Sequence, residues 1–379
     1  MSYILQHMKV LGIETSADDT GIALIEAEGE FGFGSPEPSA KAATDFRFEV
    51  LSNLVSSQTV HAQYGGIYPN LAKSEHAKNL PLLLQRISMS HFDNVDVIAV
   101  TVGPGLEPCL WEGVEFAKKL SAELNVPVVP VNHMEGHILV SLLRHEESEK
   151  RKAKSEKSAV RYSLFAIRFP AIALLISGGH TELVLMKAFG QYQYLGRTRD
   201  DAVGEAFDKV ARMLDLPYPG GPAISALAQE ARSQKREADF SLPRPMMHED
   251  NYDFSFAGLK TAVLRFVEKN KPLTEELKTQ VAREFEDAAA DVLVAKTLRA
   301  AEEYGVETVI VGGGVSANAH IRLRLADALA KAGTKLLLCP LEFSGDNALM
   351  IALAGYFHAL KNEFSEVKNL HANGTLKLC

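Results

Sequence analysis

The sequence predicts an α/β fold built twice over, as two lobes of like topology facing each other across a cleft. Two observations predict it. VLGIETSADDTGIALIEA (10–27) and ALLISGGHTELVLMKA (173–188) are each an apolar strand, a tight polar or Gly-rich turn and a second apolar strand. Each is followed at some distance by strand, Gly-rich loop, amphipathic helix and strand: DVIAVTVGPGLEP then GVEFAKKLSAELNVPVVPV in the first half, ETVIVGGGVSANAHIRLRLADALAKAGTKLLLCP in the second. A hairpin followed by a βαβ unit, in the same order in both halves, reads as an internal duplication.

That plan is the one of the actin-like architecture, in which turns and helix N-termini of both halves point N–H groups at a nucleotide phosphate chain in the cleft. A first lobe is expected over 8–134, joined by about 346–379, and a second over 162–345. Two segments interrupt the pattern. GEFGFGSPEPSAKAATDF (29–46) is rich in Gly, Pro and Ser and reads as a long loop. LLRHEESEKRKAKSEKSAVR (142–161) is a mixed-sign charge run, read as a solvated helical extension or linker whose KRKAK patch is an alternative RNA contact.

Bulk properties narrow the class. The 379 residues are 46% apolar, enough for two or three domains with ample core, and no apolar run approaches the eighteen residues of a membrane span. The N-terminal MSYILQHMK is too short and mixed for a signal peptide, so the expected compartment is the cytoplasm. Cys109, Cys339 and Cys379 are odd in number and far apart, which fits a reduced compartment and excludes a CxxC knuckle. A net charge of −8 argues against a chain that grips nucleic acid through a general basic surface. Were a nucleic acid the substrate, a local patch or partner subunits would supply much of the electrostatics.

Chemistry concentrates first in VNHMEGHI. His133 and His137 stand four apart, so on a helix both imidazoles leave one face and can converge on a cation; otherwise they are a polar or capping pair. The spacing is that of a zinc-peptidase helix, yet Glu135 stands third in HMEGH instead of second, and so points to a different face from a metal-bound water. Near the C-terminus, LEFSGDNALMIALAGYFHAL places Asp346 at or near the N-cap of an apolar helix. On its own Asp346 only caps; with two neutral imidazoles it makes a nitrogen and oxygen set for iron(II) or zinc, with coordination positions left open.

Gly-rich loops come next. ISGGHTE (176–182) and VGGGVSANAHIR (311–322) sit at strand ends, and GPGLEP (103–108) occupies the matching place in the first half. Adjacent glycines let backbone approach an anion closely, and a following helix adds its dipole; singly, each is also an ordinary turn. In TRDDAVGEAFDKVARMLDLPYPGGPAISALA, Asp208 can accept both hydroxyls of a ribose while Gly220 and Gly221 leave room for a flat base. The bland alternative pairs Asp208 with Arg212 or Lys209.

GIETSADDTG, HAQYGG, TVGPGL, NHMEGH, LISGGHTEL, DDAVGEAFDKVAR, YPGGPAI, YDFSFAGLKT, GGGVSAN and GDNALMIA occur in this order. In these ten motifs the chain resembles the tRNA N6-adenosine threonylcarbamoyltransferase family, formerly described as glycoproteases, whose fold is actin-like (ribonuclease H-like). The resemblance covers nearly the whole chain outside the two insertions. It implies transfer of a threonylcarbamoyl group from threonylcarbamoyl-adenylate to N6 of the adenosine 3′ to the anticodon in tRNAs reading ANN codons. It implies His133, His137 and Asp346 as ligands of one divalent metal, iron(II) ahead of zinc. Leu175, Ile176, Ser177, Gly178 and Gly179, with Asp208, Gly221 and Asn318, match substrate-binding positions for the adenylate or an ATP or ADP analogue. Asp18 matches an acidic residue that assists transfer. The implied partners are tRNA, a separate synthase supplying the adenylate, a paralogous scaffold subunit and a small ATPase subunit, with no membrane.

The chain departs from the family pattern in places. TSCDET reads TSADDT, with Ala17 and Asp19; GPGLxGSL reads GPGLEPCL; CTDNAAM reads SGDNALM; PELASR reads PNLAKS, with Asn70, Lys73 and Ser74. These changes spare the implied ligands and adenylate positions and bear on rim contacts to tRNA or partners. Two other classes compete: an actin-like ATPase or sugar kinase, against which the paired histidines speak because magnesium prefers oxygen ligands, and a non-catalytic scaffold of the same fold.

Overall fold

The structure, a computed structural model, describes residues 7–29, 46–87, 92, 94–145 and 161–379. The expected loop at 29–46 and charged segment at 142–161 fall mostly on 30–45 and 146–160, outside the described residues, as does the KRKAK patch. The chain divides into two compact units: Met1–Thr59, Ile67–Ile167 and Gly345–Leu378 form the first, Val60–Gly66, Arg168–Ser344 and Cys379 the second.

In the first unit, strands β1 (Met8–Glu14), β2 (Asp19–Glu28), β3 (Arg47–Ser57), β4 (Val97–Gly103), β5 (Val128–Asn132), β6 (Leu143–His145) and β7 (Arg161–Leu164) form one sheet in the order β5-β4-β1-β2-β3-β7-β6. β1 pairs antiparallel with β2 (Gly12 opposite Ala23) and parallel with β4 (Leu11 opposite Ile98), and β4 runs parallel to β5. In the second unit, β8 (Ala171–Ile176), β9 (Thr181–Ala188), β10 (Gln191–Arg197), β11 (Thr308–Gly312) and β12 (Lys335–Leu338) form a sheet of order β10-β9-β8-β11-β12. β8 is antiparallel to β9 and parallel to β11, which is parallel to β12. Both sheets thus hold the same five-strand module, an antiparallel three-strand meander extended by two parallel strands, and the duplicated α/β plan stands at the level of register.

The parallel strands β4 and β11 are buried at every position, which is why they read as unbroken apolar runs. Helices α1 (Pro69–Gln85) and α2 (Glu107–Leu124) belong to the first unit, with Leu80, Leu83, Val114 and Ala117 in a core shared with Leu11, Ile13, Ile22 and Leu24. Helix α3 (His133–Val140) follows β5 without a loop. The second unit is covered by α4 (Val203–Met213), α5 (Gly220–Ser233), α6 (Ala257–Lys269), α7 (Glu275–Glu303) and α8 (Ala319–Lys331). Phe207 and Phe285 meet edge to face there at 4.9 Å.

The helix that ends the first unit, α9 (Ala348–Leu360), buries every residue except His358 and Leu360, as a helix apolar on all sides must. It lies flush on the sheet because the strands carry glycine beneath it. A Cβ at Gly12 would stand 2.3 Å from the Ala348 carbonyl oxygen, and one at Gly21 2.9 Å from the Ala348 nitrogen. No helix among the described residues is long and apolar enough to cross a membrane.

Candidate functional site

The ends of α3 and α9 bring three side chains together within the first unit. Asn132 caps α3, its Oδ1 accepting the Met134 N–H at 2.9 Å, so His133 is the first helical residue and His137 lies one turn on. Their rings meet edge to face at 4.7 Å. His137 Nε2 lies 3.1 Å and His133 Nε2 3.4 Å from the same atom, Asp346 Oδ1. The α9 cap is Asn347, whose Oδ1 accepts the Met350 N–H at 3.2 Å. Asp346 stands one residue before the cap, and its carboxylate is left for the histidines.

This set fits a divalent cation. Ligand atoms held about 2.1 Å from one ion, at angles between a right angle and tetrahedral, lie about 3.0 to 3.4 Å apart, the spacing both histidines keep from Asp346. All three candidate ligand atoms lie within 4.8 Å of one another, with His133 and His137 buried and Asp346 part-exposed. Burial pulls the His133 imidazole down, yet the charges of Glu14 and Asp346 and its hydrogen bonds to both raise it to about 10. Asp346 is held well below the usual carboxylate range by the His133 charge and by hydrogen bonds to both histidines, which outweigh its burial. The cluster therefore demands a positive charge, as a proton or a metal ion.

Sequence reasoning missed Glu14. Its Oε2 lies 3.1 Å from His133 Nδ1 and accepts the Thr101 hydroxyl at 2.5 Å, while Oε1 accepts the Ser16 N–H at 2.5 Å. A charged residue closing the buried apolar run Val10–Ile13 was the only signal for it, and that signal names no partner. Glu135 turns elsewhere, to His358 Nε2 at 2.6 Å. Asp18, the acidic residue expected to assist transfer, sits half-buried in the β1–β2 turn, its carbonyl accepting the Gln58 N–H at 3.1 Å. Its neighbour Asp19 is part-buried among other acidic groups. Burial raises the Asp19 carboxyl to about 7 against a hydrogen bond from Ser57, with the charges of Asp346, Asp18 and Glu14 adding to the rise.

The other expected positions all lie in the second unit, joined by a chain of contacts at the C-terminal end of β8. Leu175 and Ile176 are 0% exposed, so their side chains offer a ligand no surface. The Ser177–Gly179 turn closes on itself through the Ser177 N–H to the His180 carbonyl (2.9 Å) and the His180 N–H to Ser177 Oγ (3.1 Å). Gly178 and Gly179 are exposed, with open space where a Cβ would be. Gly313, at φ 90°, passes so close to the Ile176 carbonyl that a Cβ would lie 2.4 Å from it. The Gly204 N–H reaches the Ser177 carbonyl at 3.3 Å, so α4 begins against the same turn.

Asp208 pairs with neither residue first considered. Lys209 is bound to Asp201 and Glu205, and Arg212 donates to the Gly65 carbonyl. Asp208 Oδ1 instead accepts the Gly220 N–H at 2.7 Å and so caps α5, beside Gly221, where a Cβ would meet only open space. Burial pushes the Asp208 carboxyl up, against hydrogen bonds from Gly220 and Gly221 that pull it down. Asn318 caps α8 through Oδ1, bound by the Ile321 N–H at 2.9 Å. Its Nδ2 donates to Ser225 Oγ (2.8 Å) and Glu286 Oε1 (2.7 Å), leaving an Oδ1 lone pair as its side-chain offer to a ligand. α4 thus begins against the end of β8, and the starts of α5 and α8 are linked to it in turn through Asp208 and through the Asn318–Ser225 bond; helix N-termini favour anions.

Residues 49–151 and 157–353 match the family described as tRNA N6-adenosine threonylcarbamoyltransferase. The chain belongs to that family. Proteins of that name from Persephonella marina (42% identical, 92% of this chain and 90% of the relative) and Thermosipho africanus (39%, 98% and 100%) align almost end to end, as does one from Chromobacterium violaceum (39%, 95% and 94%). The full-length HypF crystal structure in its phosphate- and nucleotide-bound form is similar in fold, with a TM-score of 0.53 at 11% identity over 96% of this chain. T. kodakarensis HypF gives a TM-score of 0.52 at 14% identity over 94%. The chain spans 48% of the length of either HypF structure, and at such identity the likeness shows the fold alone. The threonylcarbamoyltransferase family is one of transferases with the two-lobe actin-like fold, as the duplicated sheets indicate.

Proposed function

We propose that this chain transfers the threonylcarbamoyl group from threonylcarbamoyl-adenylate to N6 of the adenosine 3′ to the anticodon in tRNAs reading ANN codons, releasing AMP. The observation that carries the reading is the convergence of His133, His137 and Asp346 on one point in a chain of this family. The adenosine amine attacks the carbonyl carbon of the mixed anhydride, the bond from that carbon to the phosphate oxygen breaks, and AMP leaves with the electron pair. No protein nucleophile is needed.

An iron(II) or zinc ion held by His133, His137 and Asp346 would supply Lewis-acid stabilisation of phosphate or threonyl oxygens. The turn closed by Ser177 would present the N–H groups of Gly178 and Gly179, with those of the Gly312–Gly314 loop, to the adenylate phosphate. Asp208, Gly221 and Asn318 would hold the nucleoside, and the buried strand end at Leu175 and Ile176 would fix the turn that faces it. Asp18 would receive the proton shed by the amine.

The net charge of −8 supports a division of labour in which partner subunits share in holding tRNA. The partners proposed are a separate synthase for the adenylate, a paralogous scaffold subunit and a small ATPase subunit, all in the cytoplasm. The test incubates the chain with threonine, bicarbonate, ATP, tRNA, the synthase and the partner proteins, followed by mass spectrometry of nucleosides. Threonylcarbamoyladenosine that forms only when this chain is present supports the reading; its absence from the complete mixture sinks it.

A further inference from the structure

We infer that Glu14 is a positioning residue of the metal centre: its carboxylate takes the Nδ1–H of His133 and thereby fixes the tautomer whose Nε2 lone pair faces the cation. The inference rests on the metal reading above and deepens it.

Glu14 closes β1, opposite Gly21 of β2, and is 0% exposed. The donors that reach it among the described residues are the Thr101 hydroxyl, the Ser16 N–H and His133 Nδ1. Among those residues no lysine or arginine forms an ion pair with it. A carboxylate so buried needs a charged or strongly polarised partner, and His133 is the one within reach. The imidazole is thus spanned on both sides, Nδ1 at 3.1 Å from Glu14 and Nε2 at 3.4 Å from Asp346. With one proton on the ring, the Nδ1 side keeps it because Glu14 offers no donor there, and Nε2 is left as a lone pair toward Asp346 and His137.

The two histidines are not equivalent. His137 Nδ1 is buried without a hydrogen-bond partner among the described residues, so no carboxylate there holds that ring from its Nδ1 side. Glu14 is itself held from two elements, by Thr101 of β4 and by the backbone after β1, and Gly21 opposite it is packed against Ala348 at the start of α9. The carboxylate therefore has a set place relative to the ligands on α3 and beside α9. Outer partners of this kind raise the basicity of the ligand and add charge that a divalent ion offsets.

The test uses the full chain with zinc alone, or cobalt(II) as a spectroscopic probe, and needs neither tRNA nor adenylate. Chelator competition should show zinc affinity lowered roughly 10- to 100-fold in Glu14→Gln and Glu14→Ala. The cobalt absorption bands should shift in Glu14→Gln, and His133→Ala serves as the reference for loss of a ligand. Nitrogen-15 spectra of the zinc-bound wild-type protein should show one histidine protonated at Nδ1 with a strongly hydrogen-bonded proton, assigned by its absence in His133→Ala. Zinc affinity within twofold of wild type in both Glu14 variants would overturn the inference while leaving the metal centre intact. A His133 proton found on Nε2 would overturn it even if both variants misfold. Failure of the wild-type protein to bind zinc or cobalt would overturn the metal reading and this inference together.

Discussion

The Glu135 carboxylate lies 2.6 Å from His358 Nε2, joining α3 to α9 on the side away from the point where His133 and His137 converge. Glu135 stands about 200° around the helix from either histidine at 3.6 residues per turn, and the bond to His358 uses the group that a peptidase would need beside its water. Glu135→Gln should keep most tRNA-modifying activity and full metal content, while His137→Ala loses both. Metal-dependent cleavage of unfolded proteins, abolished by Glu135→Gln, would overturn the transferase reading.

Metal content offers a direct check on the cluster of His133, His137 and Asp346. About one iron or zinc per purified chain is expected from a set of two imidazoles and a carboxylate. Elemental analysis of His133→Ala, His137→Ala and Asp346→Ala should show at least a tenfold loss in each. Undiminished metal in all three would end the assignment.

Asp208 has two tasks in this reading, and two substitutions separate them. Asp208→Ala removes the acceptor of the Gly220 N–H and should cost about 1 kcal/mol of stability, the usual worth of a helix cap. Asp208→Asn keeps a carbonyl acceptor, so it should melt close to wild type and yet bind the adenylate about 1 to 3 kcal/mol more weakly. Wild-type nucleotide affinity in both variants would confine Asp208 to capping.

Close packing under α9 sets the position of Asp346. Gly12→Ala would drive a methyl group to 2.3 Å from the Ala348 carbonyl oxygen, which backbone must move to relieve, at a cost of about 1 to 3 kcal/mol. Chemical denaturation should register that loss, and zinc affinity should fall with it as Asp346 shifts from the histidines. A variant as stable as wild type, with unchanged zinc affinity, would contradict this coupling.

Acid should loosen the second unit through Asp287. Although burial opposes it, His320 and Arg232 hold this carboxyl at about 2. A folded-state value below the unfolded one, near 3.8, adds stability that is present above pH 4 and lost as pH falls toward 2. The difference corresponds to about 2 kcal/mol. Asp287→Asn should therefore lower the melting temperature at pH 6 while narrowing the gap between pH 6 and pH 3; an unchanged gap would refute the assignment.

Local pattern alone made much of the architecture legible. Each hairpin is written within about twenty residues: apolar residues, a turn that tolerates tight backbone, then more apolar residues. Repetition of that string with a βαβ unit behind it announces the duplicated α/β fold. Helical spacing likewise determined that His133 and His137 share a face and that Glu135 does not, since both facts follow from 3.6 residues per turn within α3.

Partners far apart in sequence were decided only by tertiary structure. His137 meets Asp346 across 209 positions and His133 meets Glu14 across 119, and no local periodicity encodes which carboxylate faces which imidazole. For Glu14 and Asp346 that choice followed from parallel pairing of β1 with β4 and from the glycines that let α9 lie against β1 and β2. For Asp208 it followed from a turn that brings Gly220 back to α4, where capping a helix outcompeted the charged neighbours on its own helix. Sequence specifies the donors and acceptors, but which of them meet depends on how buried surfaces fit, because a group removed from water must find its partner wherever packing has placed one.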